Sequence, residues 1–409
     1  MTDTSGPLVV VGASLAGATA AQVLREEGFD GQVLLLGSED ELPYERPPLS
    51  KGYLQGSSER EKAFVHPAAW YEEQRIDLRL STTVTALDPA AHELSLADGS
   101  RVAYGRLLLA TGSTPRRLDV PGAGLDGVRY LRTLADSDTL KADLARRPRV
   151  AVIGAGWIGL EVAAAARGAG LDVTVVEPAE LPLLRVLGPE VAQVFADLHR
   201  AHGVDLRLRT GVDALTGRDG AVTGVDLSDG THLAADLVVV GVGVTPNTGL
   251  AVEAGLDVSD GVEVDEHLRS SDPHVYAAGD VAAALHPRLG RRIRVEHWAN
   301  ARHQGRTAAL SMLGRDAVHD RAPYFFTDQF DLGMEYTGYV TPGGYDEVLF
   351  RGDVAGREFL AFWLADGRVL AGMNVNVWDV VEDVADLVLS GRRVDPRRLV
   401  DPSVGLGDV

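Results

Sequence analysis

Residues 150–177 read VAVIGAGWIGLEVAAAARGAGLDVTVVE, a stretch in which three closely spaced glycines separate two apolar runs. The apolar residues before Gly154 and the β-branched run before Glu177 predict two buried strands, and the alanine-rich segment between them predicts a helix. The strict G-x-G-x-x-G spacing at a strand-to-helix turn is typical of a dinucleotide-binding β-α-β unit. The candidate cofactor residues of this turn are Gly154, Gly156, Ile158 and Gly159.

An acidic residue closes this unit. Glu177 stands at the end of the second predicted strand, 18 residues after Gly159. A carboxylate in that place accepts hydrogen bonds from ribose hydroxyls of the adenosine and disfavours a 2′-phosphate. Residues 178–184 contain no arginine, and Arg185 is the nearest cation that would oppose this preference. The pattern therefore predicts a site for NADH rather than NADPH.

A second unit of the same kind lies near residue 8. Residues 8–11 are apolar, Gly12, Ser14 and Gly17 follow, and after an alanine-rich segment residues 33–36 form another apolar run. Ser14 occupies the place of the middle glycine, where a small residue still lets a pyrophosphate approach the backbone. A helix that begins here would turn its N–H groups towards the phosphates. The sequence thus predicts two dinucleotide units, which repeat the fold and not the sequence.

Three further apolar runs also end in glycine-containing turns. They lead into Ala110-Thr111-Gly112, into a turn that contains Gly243, and into Gly279-Asp280. After Pro323 aromatic residues and alternation take over, which predicts a sheet-rich C-terminal part with a helix near residues 380–389. The predicted fold class is α/β, with two Rossmann-like dinucleotide-binding domains and a C-terminal α+β domain.

Composition excludes several function classes. The chain has 39 basic and 59 acidic residues, and this net charge of −20 disfavours non-specific nucleic-acid binding. Cysteine is absent, so neither a redox-active thiol pair nor a cysteine-held iron–sulfur cluster is expected in this chain, and no metal site is predicted. No stretch of 18 or more apolar residues occurs, and the polar N-terminus lacks a signal-peptide pattern. A cytoplasmic location without a membrane span is the expectation.

The finer motifs resemble one family. The order of the motifs resembles the single-component ferredoxin reductases of the putidaredoxin reductase and aromatic-ring dioxygenase reductase type. These belong to the flavoprotein superfamily with two dinucleotide-binding domains, which also includes rubredoxin reductase and the mitochondrial apoptosis-inducing flavoprotein. The segments that carry the resemblance are PYERPPLSK at 43–51, LRT at 131–133, VEVDEHLR at 262–269, YAAGD at 276–280 and VEHWANA at 295–301.

The resemblance implies a glutathione-reductase-like arrangement of the domains. Residues 1–113 and 247–322 would form a discontinuous FAD-binding domain, residues 114–246 an NAD-binding domain, and residues 323–409 the C-terminal α+β domain. It also implies roles at matching positions. Lys51 and Glu161 would be catalytic, with Glu161 near the nicotinamide and able to pair with Lys51. The remaining implied cofactor residues are Gly12, Ser14, Ala16, Gly17, Ser38, Glu39, Arg46, Val84, Ala110, Thr111, Gly112, Arg132, Gly243, Gly279, Asp280, Glu296, His297 and Trp298.

Two positions depart from the family pattern. The strand that leads to Glu39 ends in Leu36-Gly37-Ser38, so the acid is displaced from the strand end. Phe326 stands where many members carry tryptophan, near the flavin face that serves the electron acceptor. The second change would alter the choice of partner or have no effect.

The implied function is an NADH-dependent ferredoxin reductase. A hydride would pass from NADH to N5 of FAD, and single electrons would then pass to a small iron–sulfur ferredoxin that serves a haem-thiolate (cytochrome P-450 type) monooxygenase or a dioxygenase. A basic loop is the candidate docking surface for an acidic ferredoxin, through Arg288, Arg291, Arg292 and Arg294. Two alternatives remain open: a rubredoxin reductase, or a redox sensor similar to the apoptosis-inducing flavoprotein.

Overall fold

The computed structural model describes residues 6–409, which form two compact units. The first unit comprises residues 6–45, 60–114 and 245–323, and the second comprises residues 46–59, 115–244 and 324–409. Within residues 6–409, none of the helices has both the length and the apolar character that crossing a membrane requires.

The strands, in chain order, are β1 Leu8–Val11, β2 Val33–Leu36, β3 Ile76–Arg79, β4 Val84–Asp88, β5 Glu93–Leu96, β6 Arg101–Ala103, β7 Arg106–Leu109, β8 Ser113–Pro115, β9 Val128–Tyr130, β10 Val150–Ile153, β11 Val173–Glu177, β12 Asp205–Leu208, β13 Val212–Arg218, β14 Ala221–Leu227, β15 His232–Ala234, β16 Leu237–Val240, β17 Val244–Pro246, β18 Val258–Ser259, β19 Gly261–Val264, β20 Val275–Ala277, β21 Ala282–His286, β22 Arg291–Arg294, β23 Tyr324–Gln329, β24 Leu332–Gly338, β25 Glu347–Asp353, β26 Glu358–Ala365 and β27 Arg368–Val375.

The α-helices are α1 Leu15–Glu26, α2 Gly52–Gln55, α3 Ala68–Glu73, α4 Leu134–Ala145, α5 Trp157–Gly168, α6 Leu184–Ala201, α7 Gly249–Glu253, α8 Trp298–Met312, α9 Val381–Ser390 and α10 Pro396–Val400. Short 3₁₀ helices cover Pro47–Ser50, Arg60–Ala63, Gly279–Val281 and Leu406–Asp408.

The first unit is built on a parallel sheet with the strand order β20-β7-β1-β2-β3. Its central strands β1 and β2 are buried along their whole length, which is why both read as continuous apolar runs. Because Val11 pairs with Leu36 and with Leu109, the three turns that follow these strands lie at one edge of the sheet. A four-stranded sheet, β18-β19-β21-β22, and a three-stranded sheet, β4-β5-β6, complete the unit.

The second unit repeats the parallel architecture with the order β12-β11-β10-β16-β9. Its residues 324–375 add an antiparallel sheet, β23-β24-β27-β26-β25, on which α9 packs. The two sheets share one core, in which Phe195 of α6, Phe325 and Trp363 are buried. The Trp363 indole N–H donates to the carbonyl oxygen of Leu187 at 3.0 Å, which joins the antiparallel sheet to α6. The predicted fold class, α/β with two dinucleotide-binding units and a C-terminal sheet-rich part, is confirmed.

Helices α1 and α8 approach each other closely in the first unit, and Gly305 permits this contact. A Cβ atom at position 305 would lie 2.4 Å from the backbone carbonyl oxygen of Ala16. We expect Gly305→Ala to lower the free energy of unfolding by about 1–3 kcal/mol, because the obstacle is backbone and the helices must separate. Urea titration followed by circular dichroism measures this.

The matched control is Gly249→Ala in the same unit, where a Cβ atom would meet nothing within 4 Å. Alanine is the better helix former, so this variant should be unchanged or more stable by less than about 1 kcal/mol. Equal stability of the two variants would contradict the close approach of α1 and α8.

Candidate functional site

The turn after β1 is held in one conformation by glycine. Gly12 has a φ of +121°, which side chains rarely permit, and its N–H donates to the Leu36 carbonyl oxygen at 2.8 Å. A Cβ atom at position 12 would lie 2.1 Å from the Ala110 carbonyl oxygen, and one at position 17 would lie 2.1 Å from that of Gly12. The first turn of α1 is therefore pressed directly against the end of β1.

The turn after β10 has the same construction. Gly154 has a φ of +98°, its N–H donates to the Val176 carbonyl oxygen at 2.8 Å, and a Cβ at Gly159 would lie 2.1 Å from the Gly154 oxygen. The middle position of the motif can hold either a serine or a glycine, as Ser14 and Gly156 show. Both have extended backbone conformations, and a Cβ at position 156 would meet nothing within 4 Å.

Both helix N-termini suit the phosphates of a dinucleotide. Ser14 and Gly156 are the N-cap residues of α1 and α5, and neither contributes a side-chain hydrogen bond to its helix. The first turn of each helix also contains no acidic residue. Backbone N–H groups and the positive end of the helix dipole then face the space above the turn, which is the arrangement that binds pyrophosphate.

Glu177 is fixed beside the second glycine turn. Its carboxylate accepts from the backbone N–H of Ala155 at 2.8 Å and from that of Ala179 at 2.9 Å. These two bonds orient the side chain at the end of β11, and the carboxylate retains lone pairs for ribose hydroxyls. The acid predicted from spacing therefore lies next to the turn that it would serve.

One cation at this edge was not predicted from the sequence. Arg209 follows β12, its backbone N–H donates to the Ala179 carbonyl oxygen at 2.9 Å, and its guanidinium pairs with Glu180 at 2.6 Å. Arg209 lies 32 residues after Glu177 in the chain, outside the segment that directly follows the strand. The parallel pairing of β11 with β12 brings Arg209 to this edge, because its neighbour Leu208 is the register partner of Glu177.

Further predicted residues cluster at the carboxyl edge of the first sheet. Asp280 accepts from the Ser113 hydroxyl at 2.7 Å, and the N–H of Gly279 donates to the Gln304 side chain at 2.8 Å. Gly279 also lies against Ala16, since a Cβ at position 279 would be 3.3 Å from the Ala16 Cβ. The structure thus brings the predicted YAAGD segment to the start of α1.

Thr111 and Asn247 join two chain segments at the same edge. The Thr111 hydroxyl donates to the Asn247 carbonyl oxygen at 2.9 Å, and the Asn247 amide donates to the Thr111 carbonyl oxygen at 2.8 Å. Gly112 follows with a φ of +68°. The Ala110-Thr111-Gly112 turn is therefore rigid as well as tight.

The acid near β2 is held by an aromatic residue. Glu39 accepts from the Tyr44 hydroxyl at 2.5 Å, and Ser38 between Glu39 and the strand is exposed. Gly37 explains the displacement of this acid from the strand end. A Cβ at position 37 would lie 2.5 Å from the Cβ of Ala13, so only glycine fits beside the turn.

The remaining predicted residues lie on several elements. In the first unit, Val84 opens β4, Glu296 pairs with Arg294, and Trp298 begins α8 after its N-cap His297. Desolvation lowers the pKa of His297 to about 4, and Asp280 opposes that shift. In the second unit, Arg132 precedes Thr133, which caps α4 through a capping box with Asp136. The others there are Arg46 before a 3₁₀ helix, exposed Ile158 and exposed Gly243.

A buried ion pair in the second unit joins the two predicted catalytic residues. The Lys51 ammonium lies 2.7 Å from the Glu161 carboxylate, which is only 4% exposed. Lys51 follows a 3₁₀ helix and Glu161 lies in α5, so the pair depends on how these segments pack. Phe326 borders the same site, because its ring centre lies 5.6 Å from the Lys51 ammonium. A buried charge pair of this kind requires further hydrogen bonds to be stable.

The arginines of the predicted basic loop lie beside carboxylates from other segments. Arg288 pairs with Asp320 at 3.0 Å, and Arg292 lies 3.4 Å from Glu263 and donates to the Ala283 carbonyl oxygen at 2.8 Å. Arg294 is 10% exposed and pairs with Asp260 and Glu296. Arg291 on β22 is exposed. The loop therefore carries less net positive charge than its sequence suggests.

Two glycine turns, each below a helix without a capping side chain, define a protein with two dinucleotide-binding units. The chain belongs to the pyridine nucleotide-disulphide oxidoreductase family, whose model matches residues 6–305. A reductase C-terminal domain model matches residues 324–409. The protein is an enzyme of the oxidoreductase class, and its cofactors are FAD and a pyridine nucleotide.

Similar proteins share its full length. The chain is 43% identical to the ferredoxin reductase subunit of 5,5′-dehydrodivanillate O-demethylase from a Sphingobium species, covering 98% of this chain and 97% of the relative. It is 42% identical to the ferredoxin–NAD(+) reductase component of anthranilate 1,2-dioxygenase from Burkholderia cepacia, covering 98% of each. The crystal structure of the covalent putidaredoxin reductase–putidaredoxin complex matches with a TM-score of 0.95 at 38% identity, covering 99% of this chain and 98% of that chain. The predicted resemblance to these reductases is confirmed.

Proposed function

We propose that this protein is an NADH-dependent ferredoxin reductase. The observation that supports the proposal most directly is the pair of equivalent glycine turns, one per unit, each below a helix N-terminus without a capping side chain. Full-length similarity to reductase components of oxygenase systems supports the acceptor class. Its partner would be an iron–sulfur ferredoxin that serves a haem-thiolate monooxygenase or a dioxygenase. A cytoplasmic location stays a prediction.

Residues 1–113 and 247–322 would bind FAD, with Gly12, Gly17 and Asp280 at its pyrophosphate and ribitol. Residues 114–246 would bind NADH, with its pyrophosphate on the N-terminus of α5 and its adenosine ribose on Glu177. Residues 323–409 would form the C-terminal α+β domain. Bound FAD supplies the chemistry, since it accepts two electrons as a hydride and can release them singly.

Lys51 and Glu161 would be the catalytic side chains. Lys51 is a fixed cation that would favour negative charge on the reduced flavin, and Glu161 holds its ammonium in place. Neither residue needs to act as a nucleophile, because hydride transfer depends chiefly on the positioning of the two rings.

Anaerobic stopped-flow spectroscopy tests the function directly. The purified protein should contain FAD, should be reduced rapidly by NADH and should then reduce one of a panel of oxidised ferredoxins. A rubredoxin is included in the panel, because rapid transfer to it alone would favour the rubredoxin reductase alternative. Rapid reduction with no protein acceptor served would favour a redox sensor, and a protein without flavin would refute the proposal.

The preference for NADH should depend on the charge of Glu177. We expect Glu177→Gln to reduce the ratio of kcat/KM for NADH to that for NADPH by about tenfold, because a 2′-phosphate no longer meets an anion and about 1.4 kcal/mol corresponds to tenfold. The Ala155 and Ala179 N–H groups donate to different oxygens of the Glu177 carboxylate, so glutamine, with one oxygen, keeps only one of these two bonds. Glu190→Gln, an equal change of charge at an exposed position of α6, is the control and should leave the ratio unchanged.

We propose the basic loop, Arg288, Arg291, Arg292 and Arg294, as the surface that docks the ferredoxin. Arg291→Glu should raise the KM for ferredoxin severalfold at low ionic strength and leave ferricyanide reduction unchanged, because rim charges act mainly on encounter. Arg292 is unsuited to this test, since its side chain also bonds to the Ala283 carbonyl oxygen. Arg101→Glu, an exposed change on β6, is the control. A KM that does not differ between the two variants would refute docking at this loop.

A further inference from the structure

Glu161 receives more hydrogen bonds than an ion pair alone would give. Besides the Lys51 ammonium at 2.7 Å, its carboxylate accepts from the Ser50 hydroxyl at 2.5 Å and from the Thr327 hydroxyl at 2.6 Å. Ser50 is 2% exposed and Thr327 is 1% exposed. A buried carboxylate that accepts three donors is stabilised in its ionised form.

The chain of hydrogen bonds continues beyond Thr327. The Gln329 amide nitrogen donates to the Thr327 hydroxyl oxygen at 3.2 Å, and the Gln329 oxygen faces Nε2 of His199 at 2.8 Å. Gln329 is 1% exposed and His199 is fully buried. Three segments are thereby joined: α6 through His199, β23 through Thr327 and Gln329, and α5 through Glu161.

The direction of every bond in this chain is determined. A threonine hydroxyl has one proton, so donation to Glu161 leaves its oxygen to accept from Gln329. The Gln329 amide nitrogen then faces Thr327 and its oxygen faces His199, which requires the proton of the neutral imidazole to sit on Nε2. Burial lowers the pKa of His199 to about 4, so the ring is neutral near pH 7. All donors therefore point towards Glu161.

We propose that Thr327, Gln329 and His199 are positioning residues for the Glu161–Lys51 pair, and that their one-directional hydrogen-bond chain holds Glu161 as an ionised acceptor and so keeps the Lys51 ammonium in place. This inference rests on the proposed function of Lys51 in flavin reduction. The three residues act through Glu161 and touch no reacting atom. They therefore affect the position of the Lys51 ammonium only through Glu161.

Asp328 on β23 and Glu335 on β24 are two further charged groups of this region. Asp328 lies next to Thr327, and partial burial raises its pKa. Lys51 opposes that shift, while Glu161 and Glu335 add to it. The variant Asp328→Asn is therefore needed to separate the titration of Asp328 from the effect of the Thr327 hydroxyl.

The test compares Thr327→Val, which removes the hydroxyl at nearly constant volume, with Thr327→Ser, which keeps it. Two quantities are measured in the holoenzyme against pH: the rate of flavin reduction by NADH, and the acetylation of Lys51 by acetic anhydride, resolved by peptide mass spectrometry. Loss of one hydrogen bond to a buried carboxylate should move the acid limb of the reduction profile upwards by about one pH unit. Lys51 should be acetylated severalfold faster, because acetic anhydride reacts with the nitrogen lone pair, which is exposed more often when the bond to Glu161 is weaker.

Thr327→Ser should match the unaltered protein, and Asp328→Asn should keep the difference between the valine and serine variants. Gln329→Leu should shift both quantities in the same direction by less, and it carries the test if Thr327→Val does not fold. Identical profiles for valine and serine would refute the positioning role. Failure of NADH to reduce the unaltered protein would refute the proposed function instead, and the acetylation comparison would still decide whether the chain holds Lys51.

Discussion

The close approach of a helix to the end of a strand is the constraint on which both candidate cofactor sites depend. In the first unit a Cβ atom at Gly17 would lie 2.1 Å from the Gly12 carbonyl oxygen. In the second unit a Cβ atom at Gly159 would lie 2.1 Å from the Gly154 carbonyl oxygen. Neither Gly17 nor Gly159 can be replaced without lifting the helix from its sheet. Only in this position does the helix turn its first N–H groups over the carboxyl edge, where the neighbouring strand ends deliver Asp280 in one unit and Glu177 in the other.

The sequence predicted what depends on local spacing. The glycine turns, the strand-end acid Glu177 and the fold class follow from residues close together in the chain, and the structure contains all three. The resemblance also anticipated a pairing of Lys51 with Glu161, which the structure shows as an ion pair. The middle glycine of the motif is the informative exception. Its backbone is extended and a Cβ there meets open space, so Ser14 satisfies the same geometry in a motif that departs from the pattern.

What the sequence could not predict depends on register between distant segments. Arg209 reaches the sheet edge that carries Glu177 because β12 pairs with β11, and His199 reaches Gln329 because α6 packs near β23. The net charge of the basic loop was likewise not predictable from the sequence. Counting its arginines overstates its charge, because Asp320, Glu263 and Asp260 come from chain segments that lie beside it only in the folded protein.

The absence of cysteine from the sequence directs attention to the hydrogen-bond chain that ends at Glu161. Relatives that use thiols can store two electrons beside the flavin, but this chain has no cysteine and any such relay must belong to another molecule. In the proposed function Lys51 and Glu161 would contribute electrostatically, as groups that neither gain nor lose electrons. Such a contribution requires charges that stay in place when the flavin changes charge. Burying an ion pair is costly unless its remaining lone pairs are satisfied, and the hydroxyls of Ser50 and Thr327 satisfy those of Glu161. The residues that stabilise the fold around Glu161 are thus the same residues that fix the charge at Lys51.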